Sequence, residues 1–195
     1  MPRKQWIAAL SGAAILSFAH HAPGQDAAAS RALATPCFAC HGPEGNSQSP
    51  VFPILAGQTW RYIYIQLKDF KEGRRADAVM TPFAAALSRD EMIALGNFFA
   101  AQKPKSVGFK AEAARVQMGK KISDAVLCPM CHLGGFVGQN EIPRVAGQHP
   151  DYIRKQLHDF KARRRINDAG SMTSVAGTLS DDDIENLAHY IANLD

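Results

Sequence analysis

Two pentapeptides hold the most reactive side chains of the sequence: Cys37-Phe38-Ala39-Cys40-His41 and Cys128-Pro129-Met130-Cys131-His132. Together they use all four cysteines of the chain. Both read C-x-x-C-H, and that spacing has a mechanical meaning. Two thiols three residues apart can reach the two vinyl groups on one edge of a haem and become thioethers. The adjacent histidine then lies beneath the ring and offers its imidazole to the iron. This reading assigns Cys37, Cys40, Cys128 and Cys131 to the covalent attachment of two haem c groups, and His41 and His132 to the irons. Other chemistries also use paired cysteines. Structural disulfides are common in exported proteins but need no histidine after each pair. A four-cysteine zinc site needs the two pairs to converge, and here they lie far apart in the chain. A thioredoxin-like thiol pair needs a βαβ context, which the sequence does not offer.

A second axial ligand decides what such an iron can do. Met80 follows His41 by 39 residues and Met172 follows His132 by 40. Each stands seven residues before a Leu-Ser pair, Leu87-Ser88 and Leu179-Ser180. The remaining methionines lack this matched frame. Met92 falls on a later helix, Met118 precedes its attachment motif, and Met130 sits inside the motif. Met80 and Met172 are therefore the expected axial partners of His41 and His132. A thioether is a soft ligand that favours Fe(II) and raises the reduction potential. With both axial positions filled, single-electron transfer is expected and catalysis is not.

The matched frames belong to an internal repeat. Residues 53–75 and 143–165 are identical at 13 of 23 positions, at an offset of 90. The shared residues include Ala56-Gly57-Gln58 with Ala146-Gly147-Gln148, and Tyr62-Ile63 with Tyr152-Ile153. A repeat of this length points to tandem duplication of a small domain. The expected division is a leader over residues 1–25, domain one over 26–103, a linker over 104–110 and domain two over 111–195. The linker carries Pro104, Ser106 and Gly108 without apolar periodicity.

Each half reads as helical, giving an all-α fold. Ile63, Leu67 and Phe70 recur at helical spacing after Thr59, a candidate N-cap, and Ile153, Leu157 and Phe160 follow Pro150, which suits a first helical position. Ser88 and Glu91 form a capping-box pattern ahead of Met92, Leu95, Phe98 and Phe99. Ser180 precedes three aspartates and then Ile184, Leu187 and Ile191. Residues 26–35 and 111–123 read as the helices that lead into the two attachment motifs. Pro53 and Pro143 are expected to shape the loop on the histidine side of each ring. Tyr62, Tyr152, Arg74, Arg75, Arg164 and Arg165 suit two readings, hydrogen bonds to haem propionates or a solvated helix end. His149, His158 and His189 have no histidine at the matching place in half one and are expected on the surface.

The amino terminus has the order of a secretory signal: Arg3 and Lys4, an apolar run over 6–19, then small residues. That run is shorter than the roughly 20 residues a membrane-spanning helix needs. The formal charge is +4, of which Arg3 and Lys4 supply two, so export leaves +2. The basic clusters at Lys71, Arg74 and Arg75 and at residues 161–165 lack aromatic interleaving, so no nucleic-acid partner is expected.

Both C-x-x-C-H motifs, the run from Cys40 to Asn46, the repeated Pro-x-x-Ala-Gly-Gln and the Met-to-Leu-Ser frame make the chain resemble the cytochrome c4 family. The resemblance covers essentially all of the sequence after the leader. It implies two class I cytochrome c domains related by a pseudo-twofold axis. It implies His41 and Met80 on one iron, and His132 and Met172 on the other. It also implies a periplasmic electron carrier, often membrane-associated, that passes electrons towards a terminal oxidase. The alternative function is the dihaem subunit of a periplasmic flavoprotein dehydrogenase of the flavocytochrome c sulfide dehydrogenase type. A dihaem enzyme of the peroxidase or thiosulfate-oxidising kind would need an open or unusually ligated haem. The stretch from Arg75 to Met80 is two residues shorter than that from Arg165 to Met172, so the two methionine loops are expected to differ in exposure and potential.

Overall fold

The computed structural model describes Met1 and residues 23–194. The expected leader over 1–25 lies outside the described residues except for Met1 and positions 23–25, the latter opening the first helix. Among the described residues the only extended pairing is an isolated antiparallel bridge between Gln139 and Ile142. No helix among them is long and apolar enough to cross a membrane.

The first half contains α1 (Pro23–Ala34), α2 (Phe38–His41), α3 (Trp60–Lys71), α4 (Met80–Ala85) and α5 (Arg89–Ala100). The second contains α6 (Ala113–Ala125), α7 (Cys128–Cys131), α8 (Leu133–Phe136), α9 (Pro150–Lys161), α10 (Ser171–Gly177) and α11 (Asp181–Ala192). Residues 103–112 between the halves have no regular structure.

The long helices start where local chemistry says they should. Thr59 caps α3 by accepting from the backbone N–H of Tyr62, and α9 begins at Pro150. Ser88 and Glu91 close a full capping box on α5. Ser180 does the same on α11 with Asp183, which takes the place of the usual Glu or Gln. Such caps satisfy N–H groups that have no intrahelical partner.

The apolar stripes of these helices form two separate cores. In half one, Ile63, Leu67 and Phe70 of α3 meet Met92, Leu95, Phe98 and Phe99 of α5. In half two, Ile153 and Leu157 of α9 meet Ile184, Leu187 and Ile191 of α11. Helix α6 crosses α11 at very short range. A Cβ on Gly119 would lie 2.1 Å from the carbonyl oxygen of Asn186, so only glycine fits that crossing.

The halves join through exchanged contacts of the kind a pseudo-twofold axis produces. Gln148 pairs with the backbone of Ile54, and Gln58 pairs with the backbone of Arg144. Arg75 donates to Tyr152 at 3.0 Å, and Arg165 donates to Tyr62 at 2.9 Å.

The histidines outside the motifs require a correction. His149 and His189 are buried, not on the surface. His149 bridges the halves through Nε2 and the carbonyl of Ser47, 3.0 Å apart. His189 accepts from the backbone N–H of Glu112 at Nδ1 and donates to Glu185 from Nε2, tying the segment before α6 to α11. Of these three histidines, His158 alone is substantially exposed, with 39% of its side chain open to solvent.

Candidate functional site

His41 ends α2 and is followed by Gly42, whose φ of +73° turns the chain sharply. A Cβ at Gly42 would fall 2.3 Å from the carbonyl oxygen of Asn46. The turn sets the histidine beneath the loop at 43–53. There, Nδ1 of His41 lies 2.9 Å from the carbonyl oxygen of Pro53. A carbonyl can only accept, so Nδ1 carries the proton and Nε2 carries the lone pair. His41 Nε2 is buried and has no hydrogen-bond partner. Buried nitrogens are almost always paired, so this one marks a place for a group that the protein itself does not supply. His132 repeats the arrangement, with Nδ1 2.9 Å from the Pro143 carbonyl. Burial pushes both imidazoles below their ordinary pKa, and the carbonyls oppose that shift.

None of the four cysteines is paired in a disulfide. Burial pushes the thiols of Cys37 and Cys128 above the ordinary thiol range. Cys37 and Met80 both pack against the core of half one, and Cys128 and Met172 against the core of half two. Each half therefore gathers its thiol and thioether around one apolar centre, with a backbone-oriented histidine on the attachment loop. That donor set suits a porphyrin iron, for which an oriented imidazole and a soft sulfur are natural axial ligands.

The methionine loops have anchors that sequence reasoning missed. The carboxylate of Asp77 accepts from the backbone N–H groups of Val79 and Met80. Asp168 accepts from the N–H and hydroxyl of Thr173. An aspartate shortly ahead of each methionine, at a helix start, was the available signal.

The arginine and tyrosine pairs divide their work. Arg74 and Arg164 bind Asp69 and Asp159 of their own halves, Arg74 also binds Glu72, and both guanidiniums stay largely exposed. Arg75 and Arg165 donate across the interface to the tyrosines, and they also bond Gln66 and Gln156. Burial works to raise the Tyr62 phenol, but the flanking Arg165 and Arg75 guanidiniums outweigh it and hold the phenol below its usual value.

The cytochrome c family model matches residues 27–102 and again 116–195. Cytochrome c4 from Pseudomonas aeruginosa is 40% identical over 184 residues, covering 89% of this chain and 90% of that protein. The chain belongs to the cytochrome c4 family. The crystal structure of reduced recombinant cytochrome c4 from Pseudomonas stutzeri superposes with a TM-score of 0.80 at 35% identity, covering 87% of this chain and 98% of that one. A protein of Stutzerimonas stutzeri described as a thiosulfate dehydrogenase electron acceptor is 32% identical over 170 residues, covering 81% of this chain and 78% of its own length. As a cytochrome c4, the chain has two cytochrome c domains, takes two covalently bound haem c groups and is an electron carrier.

Proposed function

We propose that Cys37 and Cys40 attach one haem and Cys128 and Cys131 the other, with His41 and Met80 on the first iron and His132 and Met172 on the second. The buried, unpartnered Nε2 of His41, whose ring is fixed through Nδ1, carries this reading. A bound haem c supplies a reversible one-electron Fe(III)/Fe(II) couple. The residues around it do the rest. The Pro53 and Pro143 carbonyls hold each imidazole in one tautomer. Asp77 and Asp168 fix the turns that open the short helices carrying Met80 and Met172. His41 and His132 are themselves buried, which keeps water from both imidazoles.

In this reading residues 1–25 are removed on export, residues 104–110 link the domains, and the carrier works in the periplasm. It passes electrons towards a terminal oxidase, with peripheral membrane association. A second reading makes it the acceptor for a periplasmic dehydrogenase. The relative described as a thiosulfate dehydrogenase electron acceptor favours that reading. Co-purification of the native protein separates the two, because a bound dehydrogenase subunit supports the second.

The ligand assignment is tested by substitution. Met80→Ala and Met172→Ala are each expected to lower the potential of one haem and open its iron to carbon monoxide. If neither variant binds the gas, the axial assignment is wrong. A pyridine haemochrome spectrum combined with intact mass counts the attached groups, and any number other than two defeats the reading.

A further inference from the structure

Each candidate axial histidine leans on a carbonyl whose own peptide group is held from the opposite half. The C=O of Pro53 and the N–H of Ile54 belong to one planar amide. Its oxygen accepts from His41 Nδ1 at 2.9 Å. Its N–H donates to Oε1 of Gln148, in half two, at 2.8 Å. Gln148 completes the pair by donating from Nε2 to the Ile54 carbonyl at 3.0 Å. The mirror arrangement is also present. His132 Nδ1 donates to Pro143 at 2.9 Å, and the N–H of the same peptide, that of Arg144, donates to Oε1 of Gln58 at 2.8 Å. Gln58 Nε2 then donates to the Arg144 carbonyl at 2.9 Å. Both glutamine side chains are aimed by a further bond, from the backbone N–H of Thr59 or His149 to the same Oε1. Both glutamines are buried, so water does not compete for these bonds.

We propose that Gln58 and Gln148 are positioning residues that each set the potential of the haem in the opposite half, acting through the shared amide on the axial histidine. The proposal rests on the reading of His41 and His132 as iron ligands. When a peptide N–H donates a hydrogen bond, its carbonyl oxygen gains electron density and accepts more strongly, because linked bonds polarise one another in a low-dielectric interior. A carbonyl that pulls harder on Nδ1–H makes the imidazole a more basic ligand. A more basic ligand favours Fe(III) and lowers the potential. The influence is crossed: Gln148 acts on haem one and Gln58 on haem two.

The test uses the holoprotein with both haems attached. Gln148→Leu removes the acceptor, and Gln148→Glu keeps the shape while making the acceptor stronger. The leucine variant is expected to raise the potential of haem one, to speed exchange of the His41 Nδ1 proton severalfold, and to leave haem two where it was. The glutamate variant is expected to move haem one the other way. Gln58→Leu should transfer the effect to haem two, and it decides the matter alone if the Gln148 variants fold poorly. Simple loosening of the interface would shift both haems together, or shift haem one in the same direction in both Gln148 variants. Either result, or no shift, overturns the proposal. Lack of a methionine-to-iron charge-transfer band in the unsubstituted protein would instead count against the ligand reading, so the two failures are distinguishable.

Discussion

In half one the chain runs through the attachment motif as an unbroken helical stretch and turns at Gly42. In half two it enters through Leu127 in a left-handed conformation, φ +62°, and leaves through Gly134 and Gly135, also at positive φ. The two routes deliver nearly the same histidine. His41 is 6% exposed, His132 is 8% exposed, and both reach a proline carbonyl at 2.9 Å. The surfaces around the motifs do not match. In half two Leu127, Met130, Leu133 and Val137 leave large apolar side chains in solvent around the attachment loop. In half one Val79 and Phe83 are exposed at the helix that opens on Met80, and Val51 and Trp60 are exposed between the attachment motif and the first turn of α3. Duplication has kept the inward geometry of each half and left the outward face free to diverge. The iron-facing frame is over-determined by packing and hydrogen bonds, while the rim is not.

The largest blow to the comparison is to remove one attachment site. Cys37→Ala with Cys40→Ala is expected to reduce the covalent haem count from two to one, as is the pair Cys128→Ala with Cys131→Ala. The ratio of haem to protein reads this directly. Retention of both haems in either double variant would show that the halves do not each hold their own. Core truncation comes next. Leu95 and Leu187 are matched positions, 2% and 1% exposed. Leu95→Ala and Leu187→Ala should each cost about 2–5 kcal/mol. Because the halves exchange buried hydrogen bonds, calorimetry should show one shared unfolding transition moving down in both variants. Two separated transitions would mean that the interface couples them weakly.

Smaller effects test the helix starts and the interface. Ser88→Ala and Ser180→Ala remove equivalent capping boxes, and each should cost about 1 kcal/mol in denaturant unfolding. A clear inequality would show that the three aspartates following Ser180 make its cap redundant. The smallest effect concerns pH. Burial holds the His149 imidazole below its ordinary value, while the Ser47 carbonyl and Asp151 oppose the shift. The unfolded chain therefore binds that proton more readily than the folded one. The stability this contributes is complete above the ordinary histidine pKa of about 6.5 and is lost as pH falls below it. His149→Thr, the residue of half one at this position, should flatten the loss of stability on acidification. An unchanged slope would remove His149 from the account.

Much of this architecture is legible in the sequence because its causes are local. The stripe of Ile63, Leu67 and Phe70 predicts α3, Thr59 and Ser88 predict helix starts, and the C-x-x-C-H spacing nominates the candidate site without any tertiary information. Contacts between the halves are not local, and sequence alone hides them. Gln58 and Gln148 are visible as a repeated identity, yet a repeated residue can serve its own half or the other one, and nothing in the pattern distinguishes these. For the same reason the absence of a half-one counterpart leads to the expectation that His149 is a surface residue. Its partner is a backbone carbonyl at Ser47, and a carbonyl has no sequence signature. Asp77 and Asp168 were hidden more shallowly, since capping aspartates are readable once a helix start is expected nearby.

The paired bonds of Gln58 and Gln148 obey the exchange rule of a homodimer, in which position i meets j and j meets i. Here both partners belong to one polypeptide. Each is always present for the other at the high effective concentration a short tether provides, so the pairing does not weaken on dilution. A two-centre carrier built in this way behaves identically whether it is scarce or abundant.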